Sequence, residues 1–202
     1  MNFVIVLSFL GGFLHLIAFV IYIKQMLKGT SQPNTATWTL WAFLIVLNLS
    51  SYAVMSGDWV KAILPAAGAF ASVSTFLFSL YKGKLSKLDR WDTLALGIGI
   101  VSGLAWWYFK SATYANLILQ ISILISFVPT YRGVLEDPRK ERALPWYLWS
   151  TAYLVGMIVI LLRWQNQYVD LIYPFLCFLL HAPIGLLTCR EKREAATAMV
   201  FH

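Results

Sequence analysis

Long apolar stretches alternate with short polar ones along the whole chain. Seven stretches contain no Asp, Glu, Lys or Arg, and they cover residues 3–23, 37–56, 62–81, 93–109, 112–131, 144–162 and 171–188. Each is close to the length of about 20 apolar residues that a membrane-spanning α-helix needs. The pattern therefore predicts an all-α membrane protein with seven transmembrane helices.

The composition excludes a soluble globular domain. Hydrophobic residues make up 59% of the 202 residues and charged residues only 12%, whereas soluble domains carry roughly 25% charged residues. The segments between the spans are too short for a separate water-soluble catalytic domain. Cys177 and Cys189 lack the spacing of a disulfide framework or a zinc site.

The basic residues lie mainly on one side of the predicted spans. Thirteen of the 16 Lys and Arg residues fall in the segments that follow spans one, three, five and seven. Since Lys and Arg accumulate in cytoplasmic loops, we expect an outside N-terminus and a cytoplasmic C-terminus, in a plasma membrane or bacterial inner membrane. The net charge of +7 then reflects topology and contact with anionic lipid, and it does not indicate a nucleic-acid partner.

Two segments of the chain recur at an offset of 104 to 109 residues. Residues 28–41 resemble residues 132–149, and each copy ends in a pair of tryptophans three positions apart. Residues 59–65 likewise resemble residues 168–174, and each copy ends in proline. Such recurrence is typical of a duplicated unit. It predicts that spans one to three correspond to spans five to seven.

The duplication divides the chain into four parts. We expect a first three-helix bundle, a linker helix, a second three-helix bundle and a short cytoplasmic tail, over residues 1–82, 83–111, 112–190 and 191–202. Because the linker helix restores the direction of crossing, the two bundles are expected to be parallel repeats related by an axis along the membrane normal.

These features resemble the PQ-loop superfamily, which includes the SWEET sugar transporters, lysosomal amino-acid exporters and the PnuC vitamin transporters. The resemblance covers the 3+1+3 layout and a motif at the inner end of the first helix of each half, present here as Lys24-Gln25 and Pro129-Thr130. SWEET-like proteins also carry hinge prolines at the inner ends of helices, and Pro145 matches a second such position. The resemblance implies a gating or hinge role for Gln25, Pro129, Thr130 and Pro145.

Polar side chains are sparse within the spans. His15 and His181 lie near the midplane of spans one and seven, and Asn48, Ser72 and Gln120 are the accompanying polar residues. An ionisable residue within a membrane is by default a candidate for function. We therefore predict that these five residues line a water-accessible substrate site, and that a histidine couples cargo movement to protons. The alternative for Asn48, Ser72 and Gln120 is an interhelical hydrogen bond.

The leading functional hypothesis is alternating-access transport of a small polar solute such as a sugar, an amino acid or a vitamin-like metabolite. The alternative is a non-transporting seven-helix receptor or scaffold of the PQ-loop type. We expect no enzymatic activity, because no span supplies a nucleophile with an adjacent base. No metal or other cofactor is expected, since all nine acids lie in loops or at span ends.

The expected partners are the solute and membrane lipid, with assembly into a homo-oligomer left open. The nine tryptophans fall near span ends, which is typical of interfacial aromatic belts.

Overall fold

The apolar segments fold into α-helices. The computed structural model describes residues 2–31, 35–81 and 87–189, so the expected tail at residues 191–202 lies outside the described residues. The helices are α1 (Asn2–Leu27), α2 (Thr35–Ser56), α3 (Trp59–Tyr81), α4 (Arg90–Phe109), α5 (Ala112–Ser126), α6 (Val128–Glu136), α7 (Ala143–Leu162) and α8 (Val169–Leu187), with a short 3₁₀ turn at Pro138–Lys140.

Within the described residues, seven helical segments are long and apolar enough to cross a membrane, and α5 and α6 together form the fifth of them. The chain is therefore a multi-pass integral membrane protein of the all-α class, as the sequence predicts. We call the side where α1 ends and α7 begins the basic side. We call the side where α1 begins and α7 ends the far side.

Local sequence signals fix both ends of α4. The Asp89 carboxylate accepts hydrogen bonds from two backbone N–H groups in the first turn, and the Asp92 carboxylate accepts one from the Asp89 N–H. This reciprocal arrangement satisfies N–H groups that the helix cannot pair internally. At the other end Lys110 has a φ of 53°, and Ser111 caps the start of α5. The tight turn between them makes α4 and α5 antiparallel neighbours.

The fifth span is interrupted at Phe127, where the sequence predicts one continuous helix over residues 112–131. Pro129 has no N–H and cannot bond to the carbonyl four residues earlier. The Phe127 N–H bonds to the Leu124 carbonyl at 3.3 Å, which tightens the end of α5. The chain resumes as α6 with Pro129 in its first turn.

The helices pack in a definite pattern of neighbours. α1 contacts α3 and α7, α2 contacts α3 and α5, and α8 contacts α7 and, less extensively, α5. α4 lies at the edge of the bundle against α5 and α2. The Ser102 and Ser122 hydroxyls donate hydrogen bonds to backbone carbonyls across the α4–α5 contact. A Cβ atom at Gly99 would lie only 2.7 Å from Leu44, so this glycine permits the close approach of α4 to α2.

Candidate functional site: a cavity within the bundle

A cavity of about 40 Å³ lies within the helical bundle. Its walls come from α1, α2, α3, α5, α7 and α8 and from the break at Phe127, whereas none of the described lining residues comes from α4. The lining residues are His15, Phe19, Trp41, Leu44, Ile45, Gly68, Ser72, Ile123, Ser126, Phe127, Trp149, Tyr153, Cys177 and His181. No Asp, Glu, Lys or Arg is among them, so the described lining carries no fixed charge.

Two histidines face the cavity from α1 and α8. His15 is 3% exposed and His181 is 7% exposed. The Tyr153 ring on α7 lies between them, with its centroid 5.3 Å from that of His15 and 5.1 Å from that of His181. Trp149 lies four positions earlier on α7, and its ring centroid is 6.4 Å from that of His15 and 5.6 Å from that of His181. The aromatic side chains of α7 therefore bring the two imidazoles to one site.

The hydrogen bonds of the two imidazoles differ. His181 Nδ1 lies 2.7 Å from the Cys177 carbonyl oxygen. Because a carbonyl only accepts, Nδ1 carries the proton, and Nε2 of the neutral ring is an acceptor. His15 Nδ1 is buried and has no hydrogen-bond partner among the described residues. Buried polar atoms are normally paired, so His15 Nδ1 is a polar atom for which the described residues supply no partner.

The structure separates the five residues predicted for the substrate site into two groups. His15, Ser72 and His181 line the cavity, whereas Asn48 and Gln120 do not. Ser72 is 2% exposed and contributes the hydroxyl of the group.

Asn48 and Gln120 belong to a separate buried cluster between α2 and α5. Asn48 Oδ1 accepts hydrogen bonds from Asn116 Nδ2 and Gln120 Nε2, each at 3.2 Å. Asn116 Nδ2 also donates to Ser51 Oγ at 2.9 Å. These bonds join the two helices, which is the interhelical role that the sequence leaves open for both residues.

The predicted hinge residues all lie near helix ends on the basic side. Gln25 is in the last turn of α1, where its side-chain oxygen accepts a hydrogen bond from Ser31 Oγ at 3.3 Å. Pro129 and Thr130 follow the break before α6. Pro145 lies in the first turn of α7, where an N–H has no intrahelical partner to lose. Pro129 therefore accompanies an interruption of helical bonding, and Pro145 does not.

Two tryptophans line the cavity, whereas the sequence predicts interfacial belts for all nine. Trp41 and Trp149 line the cavity, and Trp146 is 0% exposed. Trp41 Nε1 donates to Ser126 Oγ at 2.9 Å, which links α2 to α5 at the wall. The sequence does carry a sign of this shared role, because Trp41 and Trp149 occupy equivalent positions at the ends of the two recurring segments.

Two ion pairs close the far side. Lys61 Nζ lies 2.7 Å from Asp170 Oδ2, and Arg163 Nε lies 2.5 Å from Asp58 Oδ2. Burial opposes ionisation of Asp58, but hydrogen bonds from Arg163 and from the Val60 N–H hold the pKa of Asp58 below its ordinary value. Both pairs join residues about a hundred positions apart in the chain. They tie the start of α3 to the end of α7 and the start of α8.

Three tyrosines connect the cavity wall to the ion pairs. Tyr153 lines the cavity, and its hydroxyl lies 3.3 Å from that of Tyr173. The Tyr52 ring lies 5.8 Å from the Tyr173 ring, and the Tyr52 hydroxyl donates to the Asp170 carbonyl at 3.0 Å. The far side is therefore closed by a layer of rings backed by buried charges.

A buried carboxyl group joins α1 to α7 on the basic side. Tyr22 OH donates to Glu141 Oε1 at 2.7 Å, and Trp146 Nε1 donates to Glu141 Oε2 at 3.2 Å. Glu141 is only 5% exposed although it precedes α7 in the chain. Burial raises the pKa of Glu141 to about 7, even though both hydrogen bonds favour the carboxylate. The sequence places this acid correctly in a loop but gives no sign of its burial.

These elements define a polytopic α-helical membrane protein with a small central cavity. Within residues 2–31, 35–81 and 87–189, no group of three His, Cys, Asp or Glu side chains has the geometry to hold a metal ion. No protein-family model, curated protein or solved structure matches the chain.

Proposed function

We propose that this protein transports a small polar solute across the membrane by alternating access. The observation that carries the proposal is the cavity that two histidines face and that residues of six of the seven spans line. Among the described residues, two ion pairs and the Tyr52–Asp170 hydrogen bond lie on the far side, and the Glu141 hydrogen bonds lie on the basic side. Opening of either side requires the contacts on that side to break.

The helix contacts support two parallel three-helix repeats joined by α4. Spans one and six meet as α1 and α7, and spans two and five meet as α2 and α5. These two contacts exchange places when spans one to three are exchanged with spans five to seven. Trp41 and Trp149, which the repeat pairs, both line the cavity. A PQ-loop or SWEET-like architecture is our proposal on this basis, and it makes the cavity the meeting place of two bundles that rock against each other.

The lining limits the chemistry of the cargo. An uncharged wall favours a neutral or weakly charged solute, because burying an unpaired charge costs several kcal/mol. His15, His181 and Ser72 offer hydrogen bonds, and the Trp41 and Trp149 rings offer flat apolar surfaces. A cavity of about 40 Å³ holds only a few water molecules, so entry of a sugar, an amino acid or a vitamin-like metabolite requires the two halves to separate.

The orientation of the chain is part of the proposal. Because Lys and Arg accumulate in cytoplasmic loops, the proposal has the basic side in the cytoplasm and the N-terminus outside, in a plasma or bacterial inner membrane. A cysteine at Lys87, an exposed position just before α4, tests this in intact cells after Cys177 and Cys189 are replaced by serine. The thiol is expected to resist an impermeant reagent until the cells are permeabilised. Labelling in intact cells would indicate the opposite orientation.

Transport itself is tested in two steps. A thermal-shift screen of the purified protein against sugars, amino acids and vitamin precursors identifies a ligand, since a ligand that binds the folded state raises its unfolding temperature. The radiolabelled ligand is then offered to proteoliposomes and to protein-free liposomes. Saturable uptake only in the proteoliposomes is the expected result. Binding without uptake would instead favour the non-transporting receptor.

A further inference from the structure

We infer that Glu141 is a proton-binding site whose occupancy controls opening of the basic side of the cavity. The inference deepens the proposed transport function and rests on it for its physiological meaning. Titration of the carboxyl group and opening of the cavity are nevertheless properties of the protein that can be measured without any cargo.

The first observation is the position of the carboxyl group across a contact that must open. Tyr22 belongs to α1, whereas Trp146 is in the first turn of α7 and Glu141 lies two residues before that helix. Separation of α1 from α7 on the basic side breaks the hydrogen bond from Tyr22 to Glu141. The same movement admits water to a side chain that is otherwise 5% exposed.

The second observation is a series of aromatic contacts that connects this carboxyl group to the cavity. The Tyr22 and Trp146 rings lie 5.4 and 5.2 Å from Trp149, which lines the cavity. The Trp146 ring also lies 5.5 Å from His181. A change in the hydrogen bonds of Glu141 therefore reaches residues of the cavity wall through the Tyr22 and Trp146 rings.

Burial, rather than a neighbouring charge, sets the proton affinity of Glu141. Tyr22 is the titratable group that contacts Glu141 from α1, and His181 of α8 contacts the Trp146 ring, whose Nε1 donates to Glu141. The neighbouring cations have other partners or are exposed: Lys140 pairs with Glu136, Arg139 pairs with Asp137, and Arg142 is exposed. Desolvation is accordingly the main cause of the raised pKa of Glu141, about 7.

Linkage gives the direction of the effect. In an open form the carboxyl group is hydrated, and its pKa returns toward the ordinary value near about 4.3. The closed form therefore binds a proton more tightly, and a proton from solution on the basic side bonds to the carboxylate as this side closes. Opening releases that proton to the same side. Low pH favours closure, and a pH above about 7 favours opening.

Cys177 provides a reporter that requires no cargo. It lines the cavity and is 1% exposed, and replacement of Cys189 by serine leaves it as the one thiol of the 202-residue chain. The rate of its alkylation is measured from about pH 5.5 to 8.5 in the Cys189→Ser protein and in the same protein with Glu141→Gln. At each pH the rate in the Cys189→Ser protein is divided by the rate in the same protein with Glu141→Gln. This ratio cancels the intrinsic pH dependence of thiol chemistry.

We expect the ratio to rise several-fold with a midpoint near pH 7, because the glutamine variant imitates the permanently protonated carboxyl group. The double variant Glu136→Gln with Lys140→Gln, which removes a nearby ion pair as a whole and leaves no unpaired cation, is the matched control and should follow the unmodified Cys189→Ser protein. Tyr22→Phe removes a donor that favours the carboxylate, so the midpoint should move to higher pH. A ratio that stays constant over the pH range would overturn the inference.

Infrared difference spectra between the two pH limits provide a second readout. A protonated-carboxyl band should disappear at high pH, should be missing from the Glu141→Gln spectrum, and should titrate at higher pH in Tyr22→Phe. If Glu141→Gln does not fold, the Tyr22→Phe variant alone provides the test. A carboxyl band that titrates at the same pH with and without Tyr22→Phe would then reject the inference. Absence of uptake in proteoliposomes with the titration intact would reject only the transport function.

Discussion

Lys61 and Asp170 form a buried ion pair with 2.7 Å between Nζ and Oδ2, and their side chains are 1% and 0% exposed. Lys61 is in the first turn of α3 and Asp170 is in the first turn of α8. The recurring segments pair these two positions with each other. The ion pair therefore joins equivalent points of the two proposed repeats and closes the far side.

Replacement of one partner of this pair should be more harmful than replacement of both. Lys61→Met or Asp170→Leu leaves an uncompensated buried charge and should lower the free energy of unfolding by about 3–5 kcal/mol. The double variant should recover most of that loss, because two apolar side chains replace two charges. Denaturant unfolding in detergent provides the measurement. The exposed Arg139–Asp137 pair is the control, and Arg139→Gln should change stability little.

Gly68 controls the width of the cavity beside His15. A Cβ atom at this position would lie 3.2 Å from His15 Nε2, so Gly68→Ala should weaken solute binding and uptake several-fold by displacing the imidazole. Gly97→Ala is the matched control, because nothing lies within 4 Å of the added methyl group on α4. Equal solute binding in the two variants would show that His15 is not part of the binding site.

The cluster around Asn48 should contribute to folding rather than to solute binding. Gln120→Leu removes the donor to Asn48 Oδ1 and should cost about 0.5–2 kcal/mol of stability, the range of interhelical hydrogen bonds in membranes. The dissociation constant of the solute, measured by isothermal titration on the folded variant, should not change. A large loss of affinity at unchanged stability would instead restore Gln120 to the substrate site.

The raised pKa of Glu141 predicts how stability depends on pH. The folded protein keeps the proton up to about pH 7, whereas the unfolded chain releases it near about pH 4.3. The folded state binds more protons in this window, so Glu141 makes stability fall as the pH rises, and the effect levels off above about pH 7. Glu141→Gln should remove this contribution. Parallel curves for the two proteins in thermal unfolding from about pH 4 to 8 would contradict the raised pKa.

The seven spans are predictable from sequence because lipid imposes a simple requirement. Every lipid-facing segment must be apolar and must satisfy its own backbone hydrogen bonds, so helix positions follow from composition alone. The break at Phe127 is not evident in the same way. Membrane helices tolerate proline, and Pro129 alone does not show whether the helix kinks or stops.

The site is less predictable, because it depends on how helix faces meet. His15 and His181 attract attention as rare ionisable residues within spans. Asn48 and Gln120 are equally polar, yet the α2–α5 contact uses them for packing. Glu141 looks like an ordinary loop acid, and only the contacts of its segment with α1 reveal its burial.

Accessibility of Cys177 from each side of the membrane tests alternating access most directly. The Cys189→Ser protein is reconstituted in one orientation, and a small impermeant thiol reagent is added either outside or inside the vesicles. Because Cys177 lines the cavity and is 1% exposed, it reacts only when one side opens. We predict labelling from both sides, at different rates, with the vesicles remaining intact. Labelling from one side only, or from neither, would contradict the account.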